Sequence, residues 1–256
     1  MRHDFTALTQ RDKAILMGLF LSRFDKDAVK SLGFTGPYEA FNVLGYSIGI
    51  APNSIKGYRD EFDPYFPNPR KGRHKRALRG YCKDIMDKAA ELDFNGFQRL
   101  INSFVLDEYV DIKDIKRDNI KTKERKFSES RMLTGKAAEN YFVLNYQNIS
   151  PFQKYTLTDT TNKGCGFDYK LSLDGSNFYV EVKGINERQG SILMTELEYD
   201  RAEKLLEHYC LFVVSNFKKS PIHQMFFNPL YDDRLLFTKR ERPVTQISYT
   251  SNIIGI

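Results

Sequence analysis

Two short acidic motifs, separated by twelve residues, impose the strongest constraint on how this chain folds. Asp168 follows a glycine and a phenylalanine, and Glu181 opens the triplet Glu181-Val182-Lys183 inside an apolar run. Side chains alternate between the two faces of a β-strand, so Glu181 and Lys183 are expected on one face and the neighbouring valines on the other. The spacing therefore predicts a carboxylate and an ammonium group side by side on one strand.

The residues between the two motifs predict a β-hairpin. Residues 167–173 alternate as a strand, and residues 174–176 have the sequence Asp-Gly-Ser, which is typical of a hairpin turn. Asp168 and Glu181 are then expected on neighbouring antiparallel strands, near the same end of a sheet. Two carboxylates beside a fixed positive charge suit a hard divalent cation and phosphodiester hydrolysis. On spacing alone, a solvated hairpin face with an ordinary Glu–Lys pair is an equal alternative, because such motifs recur by chance.

The flanking sequence predicts the element order helix, strand, strand, strand, helix, strand. Residues 129–144 and 191–206 have apolar side chains at helical spacing, and residues 153–157 predict a first strand. Residues 209–215 are almost continuously apolar, which is typical of a strand buried on both faces. Further strands are predicted at residues 224–227 and 244–249.

This order and these residues resemble the PD-(D/E)xK nuclease superfamily, whose core occurs in restriction endonucleases and Mrr-like nucleases. The resemblance is closest to the nuclease-like domain at the C-terminus of the plant NO VEIN protein and its microbial relatives, and it covers about residues 135–214. It implies an α/β fold, with an αβββαβ restriction-endonuclease-like core and a mixed sheet flanked by helices. Phe167 stands where the superfamily's name has proline. That departure leaves the chemistry unchanged, since the proline has no catalytic role.

The resemblance also implies roles for individual residues. Asp168 and Glu181 are expected to bind one or two Mg²⁺ ions, with the backbone carbonyl of Val182 as a further ligand. Lys183 is expected to orient the attacking water or lower its pKa, and to stabilise charge that grows on the phosphorane. Cleavage is expected to leave 5′-phosphate and 3′-hydroxyl ends.

Two further acids match family positions. Glu139 corresponds to the acid of the family's first helix and is expected to tune the catalytic site, directly or through water. Glu198, which precedes Ala202 by four residues, matches a glutamate of the second helix less closely.

Positive charge is concentrated in the first part of the chain. Residues 1–150 hold 26 Lys+Arg against 20 Asp+Glu, whereas residues 151–256 hold 13 of each. A polyanion is therefore expected to dock on the first part. The predicted organisation is a helical DNA-recognition domain at residues 1–126 and a nuclease domain at residues 127–256.

The helical part contains a pattern typical of a helix-turn-helix. Gly49 is predicted to lie in the turn, and residues 52–62 are predicted to form the recognition helix. Ile55, Tyr58 and Phe62 mark its buried stripe. The residues predicted to face outward and contact DNA are Asn53, Ser54, Lys56 and Arg59. The alternative is a plain helical pair with a solvated polar face.

A basic run follows the predicted recognition helix directly. Residues 68–79 contain six Lys+Arg and no acid, which predicts several phosphate contacts and a steep salt dependence. The predicted contacts are Arg70, Lys71, Arg73, Lys75 and Arg76. The alternative is a charged surface in contact with solvent alone.

The composition of the chain narrows the classes of protein to which it can belong. No run of 18 apolar residues and no signal-peptide core are present, so no membrane association and a cytoplasmic location are expected. Three widely spaced cysteines argue against a disulfide framework and against a zinc site.

The leading hypothesis is a Mg²⁺-dependent type II restriction endonuclease acting on double-stranded DNA. A homodimer is expected, because each site cuts one strand and a duplex break needs two. The alternatives are a modification-dependent or repair nuclease on the same fold, and a DNA-binding regulator whose nuclease-like half is inert.

Overall fold

The computed structural model describes residues 5, 8–70, 72, 77–106 and 123–240, with the backbone alone for residues 106 and 123–129. The basic residues Lys71, Arg73, Lys75 and Arg76 lie outside these ranges, as does the predicted strand at 244–249. No helix within the ranges is both long enough and apolar enough to cross a membrane.

The N-terminal part is helical, as predicted. Its described helices are α1 (Gln10–Arg23), α2 (Asp25–Ser31), α3 (Pro37–Ser47), α4 (Pro52–Phe62), α5 (Gly80–Lys88) and α6 (Phe94–Leu106). A capping box begins α1: the Thr9 side chain accepts from the Asp12 N–H, and the Asp12 side chain accepts from the Thr9 N–H. Residues 14–22 of α1 are buried, so α1 forms the centre of this half.

Helix α4 spans the predicted recognition helix, and residues 48–51, which include Gly49, connect it to α3. Ile55 and Phe62 are buried as predicted, and they pack in the same core as α1. That these two helices form a helix-turn-helix stays a prediction. DNA binding by α4 stays a prediction.

The C-terminal part has the predicted αβββαβ order followed by one more strand. Its elements are α7 (Lys123–Asn145), β1 (Thr156–Asp159), β2 (Tyr169–Leu173), β3 (Ser176–Gly184), α8 (Glu196–Leu205), β4 (Tyr209–Ser215) and β5 (Ile222–Phe227). The predicted start of the second helix near residue 191 is wrong. Helix α8 begins at Glu196 because Thr195 and Glu198 form a capping box.

The five strands form one mixed sheet in the order β1-β2-β3-β4-β5. Strands β3 and β4 are parallel, and every other neighbouring pair is antiparallel. The predicted hairpin joins β2 to β3 through Asp174 and Gly175, whose φ angles are 47° and 87°. Two positive φ angles in a two-residue connection define the type I′ turn, for which Asp-Gly is a favoured sequence. The predicted α/β class with a mixed sheet is confirmed.

One hydrophobic core extends through both halves. Strand β4 is buried along its whole length, and Phe142 of α7 packs on it, with its ring centroid 4.8 Å from that of Phe212. Helix α3 packs on α7, and the Asn42 side chain donates to the carbonyls of Phe217 (2.7 Å) and Lys219 (2.9 Å). Hydrogen bonds from Asn42 therefore join the helical half to the β4–β5 connection. The domain boundary near residue 126 stays a prediction.

Candidate active site

Asp168 is the residue before β2, and three backbone groups hold it against its neighbours. Its N–H donates to the Val180 carbonyl at 2.9 Å, and its own carbonyl accepts from the Thr160 N–H at 2.8 Å. Its carboxylate Oδ2 accepts from the Val182 N–H at 2.9 Å. The carboxylate is thus fixed at the level of β3 where Glu181 and Lys183 lie.

Glu181 and Lys183 lie on one face of β3, as strand alternation predicts. The Lys183 ammonium donates to Glu181 Oε1 at 2.6 Å. It also donates to Oε2 of Glu198, at 2.7 Å. Glu181 is only 4% exposed. The structure therefore argues against the solvated hairpin face.

Glu198 is the side chain that the sequence alone placed least well. It lies in the first turn of α8, where its Oε2 accepts from both Lys183 and the Thr195 N–H. The Thr195-x-x-Glu198 spacing predicts a capping box, so the sequence does contain a signal for the local position of this carboxylate. Its contact with Lys183 depends on how α8 packs beside β3, which the spacing does not reveal.

Burial and mutual repulsion shape the charges of the site. Burial, helped by the neighbouring Asp168, raises the pKa of Glu181 well above its ordinary value. Burial also raises the pKa of Asp168, although the Val182 N–H and Lys183 oppose the shift. Burial disfavours the charged form of Lys183, but Glu181 and Glu198 outweigh it and the pKa of Lys183 is raised. Two neighbouring carboxylates that are partly shielded from water and repel each other favour the binding of a cation between them.

Glu139 of α7 is the acid predicted to act from the first helix. Burial, followed by the proximity of Asp168, raises the pKa of Glu139 to about 7. Its Oε2 is buried and makes no hydrogen bond within the described residues, although the Lys136 ammonium lies 3.6 Å away. Glu139 is thus electrostatically coupled to Asp168, as a tuning role requires.

A cavity of about 230 Å³ opens over the carboxylates of the candidate site. Its walls include Asp168, Glu181 and Glu198 together with Thr161, residues 164–167, Thr195 and Leu197. Within the residues that the structure describes, no three or more His, Cys, Asp or Glu side chains are grouped as a metal cage. Mg²⁺ does not need one, because it keeps several waters and binds through one or two carboxylates. The donor chemistry of Asp168 and Glu181 fits this ion.

Comparison with known families gives a match to this part of the chain. Residues 138–227 match the family model described as Protein NO VEIN, C-terminal. This segment is similar to the NO VEIN C-terminal domain, which belongs to the PD-(D/E)xK nuclease-like superfamily. No curated protein and no solved structure gives a significant match to the chain. The resemblance predicted from the motifs is thereby confirmed.

The match to the NO VEIN C-terminal domain contains the four acids described above and Lys183. It begins one residue before Glu139 and extends through β5. Residues 1–137, which include the whole helical half, lie outside the match. The family comparison therefore supports a nuclease-like domain and does not address the DNA-recognition half.

The predicted DNA contacts on α4 differ in how accessible they are. Asn53 and Ser54, near the start of the helix, are exposed. The Lys56 side chain is 41% exposed and pairs with Asp60, at 2.7 Å. These three side chains can reach a ligand outside the helical half.

Arg59 does not face outward, and that prediction is wrong. Its side chain is 12% exposed and donates to Asp60, at 2.6 Å. Its guanidinium also stacks over the Phe41 ring, 4.7 Å from the centroid. The apolar spacing of α4 identifies the buried stripe, but it does not reveal that Asp60 and Phe41 draw Arg59 against the protein.

Arg70 is also held by carboxylates, one of which is buried. Its Nε and Nη2 donate to the two oxygens of Asp63, at 2.8 and 2.7 Å, and Nη1 pairs with Asp25. The Asp63 side chain is fully buried and also accepts from the Ser22 hydroxyl, at 2.8 Å. Arg70 thus anchors the start of the basic run to the first residue of α2 and to the residue that follows α4, and a phosphate contact by Arg70 would compete with this pairing.

Arg70→Ala is expected to lower the free energy of unfolding by about 2 kcal/mol, because it leaves the buried Asp63 carboxylate without its bidentate partner. Urea unfolding measures this loss. Lys83→Ala, at an exposed cation of α5, is the matched control and should leave stability unchanged. If Arg70→Ala weakens DNA binding while unfolding normally, Arg70 contacts DNA instead of anchoring the run.

The raised pKa of Glu139 predicts a pH-dependent stability in the metal-free protein. In the folded state Glu139 stays protonated up to about pH 7, whereas in the unfolded chain it is ionised above about 4.5. The folded protein therefore binds more protons, and its stability falls as pH rises through the folded pKa. Asp168 and Glu181, whose pKa values are also raised, act in the same direction.

The measurement is urea unfolding in EDTA from about pH 6.5 to about pH 8.5. The range starts at about pH 6.5 because burial lowers the pKa of His223, and its titration at lower pH raises stability as pH rises. Wild-type stability is expected to fall across this range, and Glu139→Gln is expected to reduce the fall. A pH dependence identical in wild type and variant contradicts the ionisation assigned to Glu139.

Proposed function

We propose that this protein is a Mg²⁺-dependent, site-specific endonuclease of the type II restriction kind that hydrolyses double-stranded DNA. The observation that supports this most is the geometry at β3. The buried carboxylate of Glu181 and the half-buried carboxylate of Asp168 lie beside the Lys183 ammonium, which donates to Glu181 at 2.6 Å. This set of groups matches the needs of phosphodiester hydrolysis.

Each group has a distinct part in the proposed reaction. Asp168 and Glu181 hold Mg²⁺, with the Val182 carbonyl as a further ligand, and the ion supplies positive charge against the phosphate oxygens on which negative charge develops. Lys183 orients the attacking water and stabilises the same developing charge. Glu198 holds the Lys183 ammonium in place, and Glu139 adjusts the ionisation of Asp168 from α7.

The energetic cost of this site supports an active enzyme over an inert one. Glu181 is buried and Asp168 is half-buried beside it, and each has a raised pKa because its charged form is disfavoured. Keeping such groups costs stability, a cost that is common at functional sites. A DNA-binding regulator with an inert nuclease-like half would have no need of them.

DNA binding is assigned to the helical half, because all the excess positive charge lies in residues 1–150. Lys71, Arg73, Lys75 and Arg76 supply phosphate contacts, and Asn53, Ser54 and Lys56 supply contacts near the start of α4. Two copies of the chain cut the two strands of the duplex.

Incubation of phage DNA with the protein and Mg²⁺, followed by sequencing of the ends, tests this proposal. Unmodified DNA and DNA with modified bases are compared side by side. Cuts at discrete sites in unmodified DNA are expected. Cutting of modified DNA alone indicates a modification-dependent nuclease, and a gel shift without cutting indicates a DNA-binding regulator.

A further inference from the structure

Residues 165–167 form the segment that leads into Asp168, and two side chains from elsewhere in the fold hold its backbone. The Tyr209 hydroxyl, at the start of β4, donates to the Gly166 carbonyl at 3.2 Å. Arg201 Nε, on α8, donates to the Cys165 carbonyl at 3.0 Å. The backbone immediately before Asp168 is therefore tied both to the sheet and to the helix beside it.

The segment also has little room to move. Gly166 has a φ of 83°, and a Cβ added there would lie 2.6 Å from Arg201 Cγ and 2.9 Å from the Leu197 carbonyl oxygen. Only glycine allows this close approach of the segment to α8. The Gly166 carbonyl consequently has a well-defined position in front of the Tyr209 hydroxyl.

Tyr209 lies where it can affect the geometry of the candidate active site without itself binding a metal or substrate. Its side chain is fully buried, and it pairs across parallel strands with Tyr179, two residues before Glu181 on β3. Burial, together with the nearby carboxylates of Glu181 and Glu198, raises the pKa of Tyr209, so its hydroxyl stays a donor at neutral pH. A donor at this point links the strand next to Glu181 with the segment that carries Asp168.

We propose that Tyr209 is a positioning residue: its hydroxyl, by holding the Gly166 carbonyl, sets the distance between the carboxylates of Asp168 and Glu181. Arg201 acts on the same segment from the other side through Cys165. This inference rests on the proposed function, since the pair of carboxylates is the proposed metal site. Groups that orient metal ligands typically contribute 10- to 100-fold to metal affinity or activity.

Tyr209→Phe removes only the hydroxyl and keeps the buried ring. The expected result is Mn²⁺ binding, measured by electron paramagnetic resonance, that is about 10- to 100-fold weaker than in wild type. The cleavage rate at saturating DNA is expected to fall with it, while KM for DNA stays unchanged. Tyr155→Phe is the matched control, because it removes another 3.2 Å tyrosine hydrogen bond, to Ser176, in an exposed position.

Arg201→Met provides a second variant should Tyr209→Phe fail to fold. It keeps an aliphatic side chain against Gly166 and removes the guanidinium from the exposed surface of α8. It is expected to weaken Mn²⁺ binding in the same direction, with unchanged thermal unfolding in EDTA.

The outcomes separate this inference from the proposed function. Wild-type protein that binds Mn²⁺ and cuts DNA, together with a Tyr209→Phe variant that does both equally well, overturns the positioning role alone. Wild-type protein that neither binds Mn²⁺ nor cuts overturns the positioning role and the proposed function together. Weaker Mn²⁺ binding in Tyr209→Phe and Arg201→Met, but not in Tyr155→Phe, supports the inference.

Discussion

Replacing Asp168 by asparagine is expected to lower Mg²⁺-dependent cleavage by about 10³-fold. The change removes a negatively charged ligand, so the several kcal/mol of transition-state stabilisation that a bound ion supplies is largely lost. The asparagine oxygen can still accept from the Val182 N–H, so the local fold is expected to persist. Single-turnover cleavage of an end-labelled duplex at saturating protein measures the loss.

Asp174→Asn is the matched control for this experiment. Asp174 lies in the turn of the same hairpin with a positive φ, which asparagine tolerates, and it is exposed. The control is expected to cut like wild type, and DNA binding is expected to be retained in both variants. Near-normal cutting by Asp168→Asn would show that this carboxylate does not hold the metal.

Lys183→Met is expected to lower the cleavage rate by about 10²- to 10³-fold, because the positive charge beside the developing phosphorane is removed. It is also expected to lower the free energy of unfolding by about 2 kcal/mol, since Glu181 and Glu198 lose the cation that they share. Rapid-quench kinetics and urea unfolding measure the two effects on the same preparation.

Lys170→Met, on the neighbouring strand β2, controls for loss of a lysine from this sheet and is expected to change neither quantity by much. Glu198→Gln separates the two roles of Lys183 further. It keeps a hydrogen-bond acceptor for the ammonium but removes the charge, so a smaller loss of rate is expected. A Lys183→Met variant with wild-type cleavage would assign Lys183 a purely structural role.

The local order of the fold is predictable from the sequence because its signals are local. The period-2 alternation of residues 167–173, the Asp-Gly turn and the apolar run at 209–215 each specify one element, and the structure has all three. Strand alternation also places Glu181 and Lys183 on one face, where the structure confirms their contact. These inferences need only the geometry of a single strand or hairpin.

The sequence does not predict contacts between side chains that are distant in the chain, and it predicts element boundaries poorly where the local pattern is weak. Arg70 begins a run of basic residues, yet it pairs with Asp25, and nothing in the spacing indicates that contact. Glu198 bonds Lys183 only because α8 packs beside β3. Helix propensity over residues 191–206 does not mark the start of α8, whereas the Thr195 cap does. Side-chain pairing between elements is therefore what the sequence leaves open.

The most direct test of the proposed function is the cleavage of a duplex that contains the protein's own cut site by wild type and Asp168→Asn, with Mg²⁺ and with EDTA, followed by analysis of the new ends. Mg²⁺-dependent cleavage by wild type alone, with 5′-phosphate and 3′-hydroxyl ends, is the predicted result. Cleavage that persists in EDTA, or that Asp168→Asn performs as well as wild type, would contradict a metal-dependent nuclease site at Asp168 and Glu181.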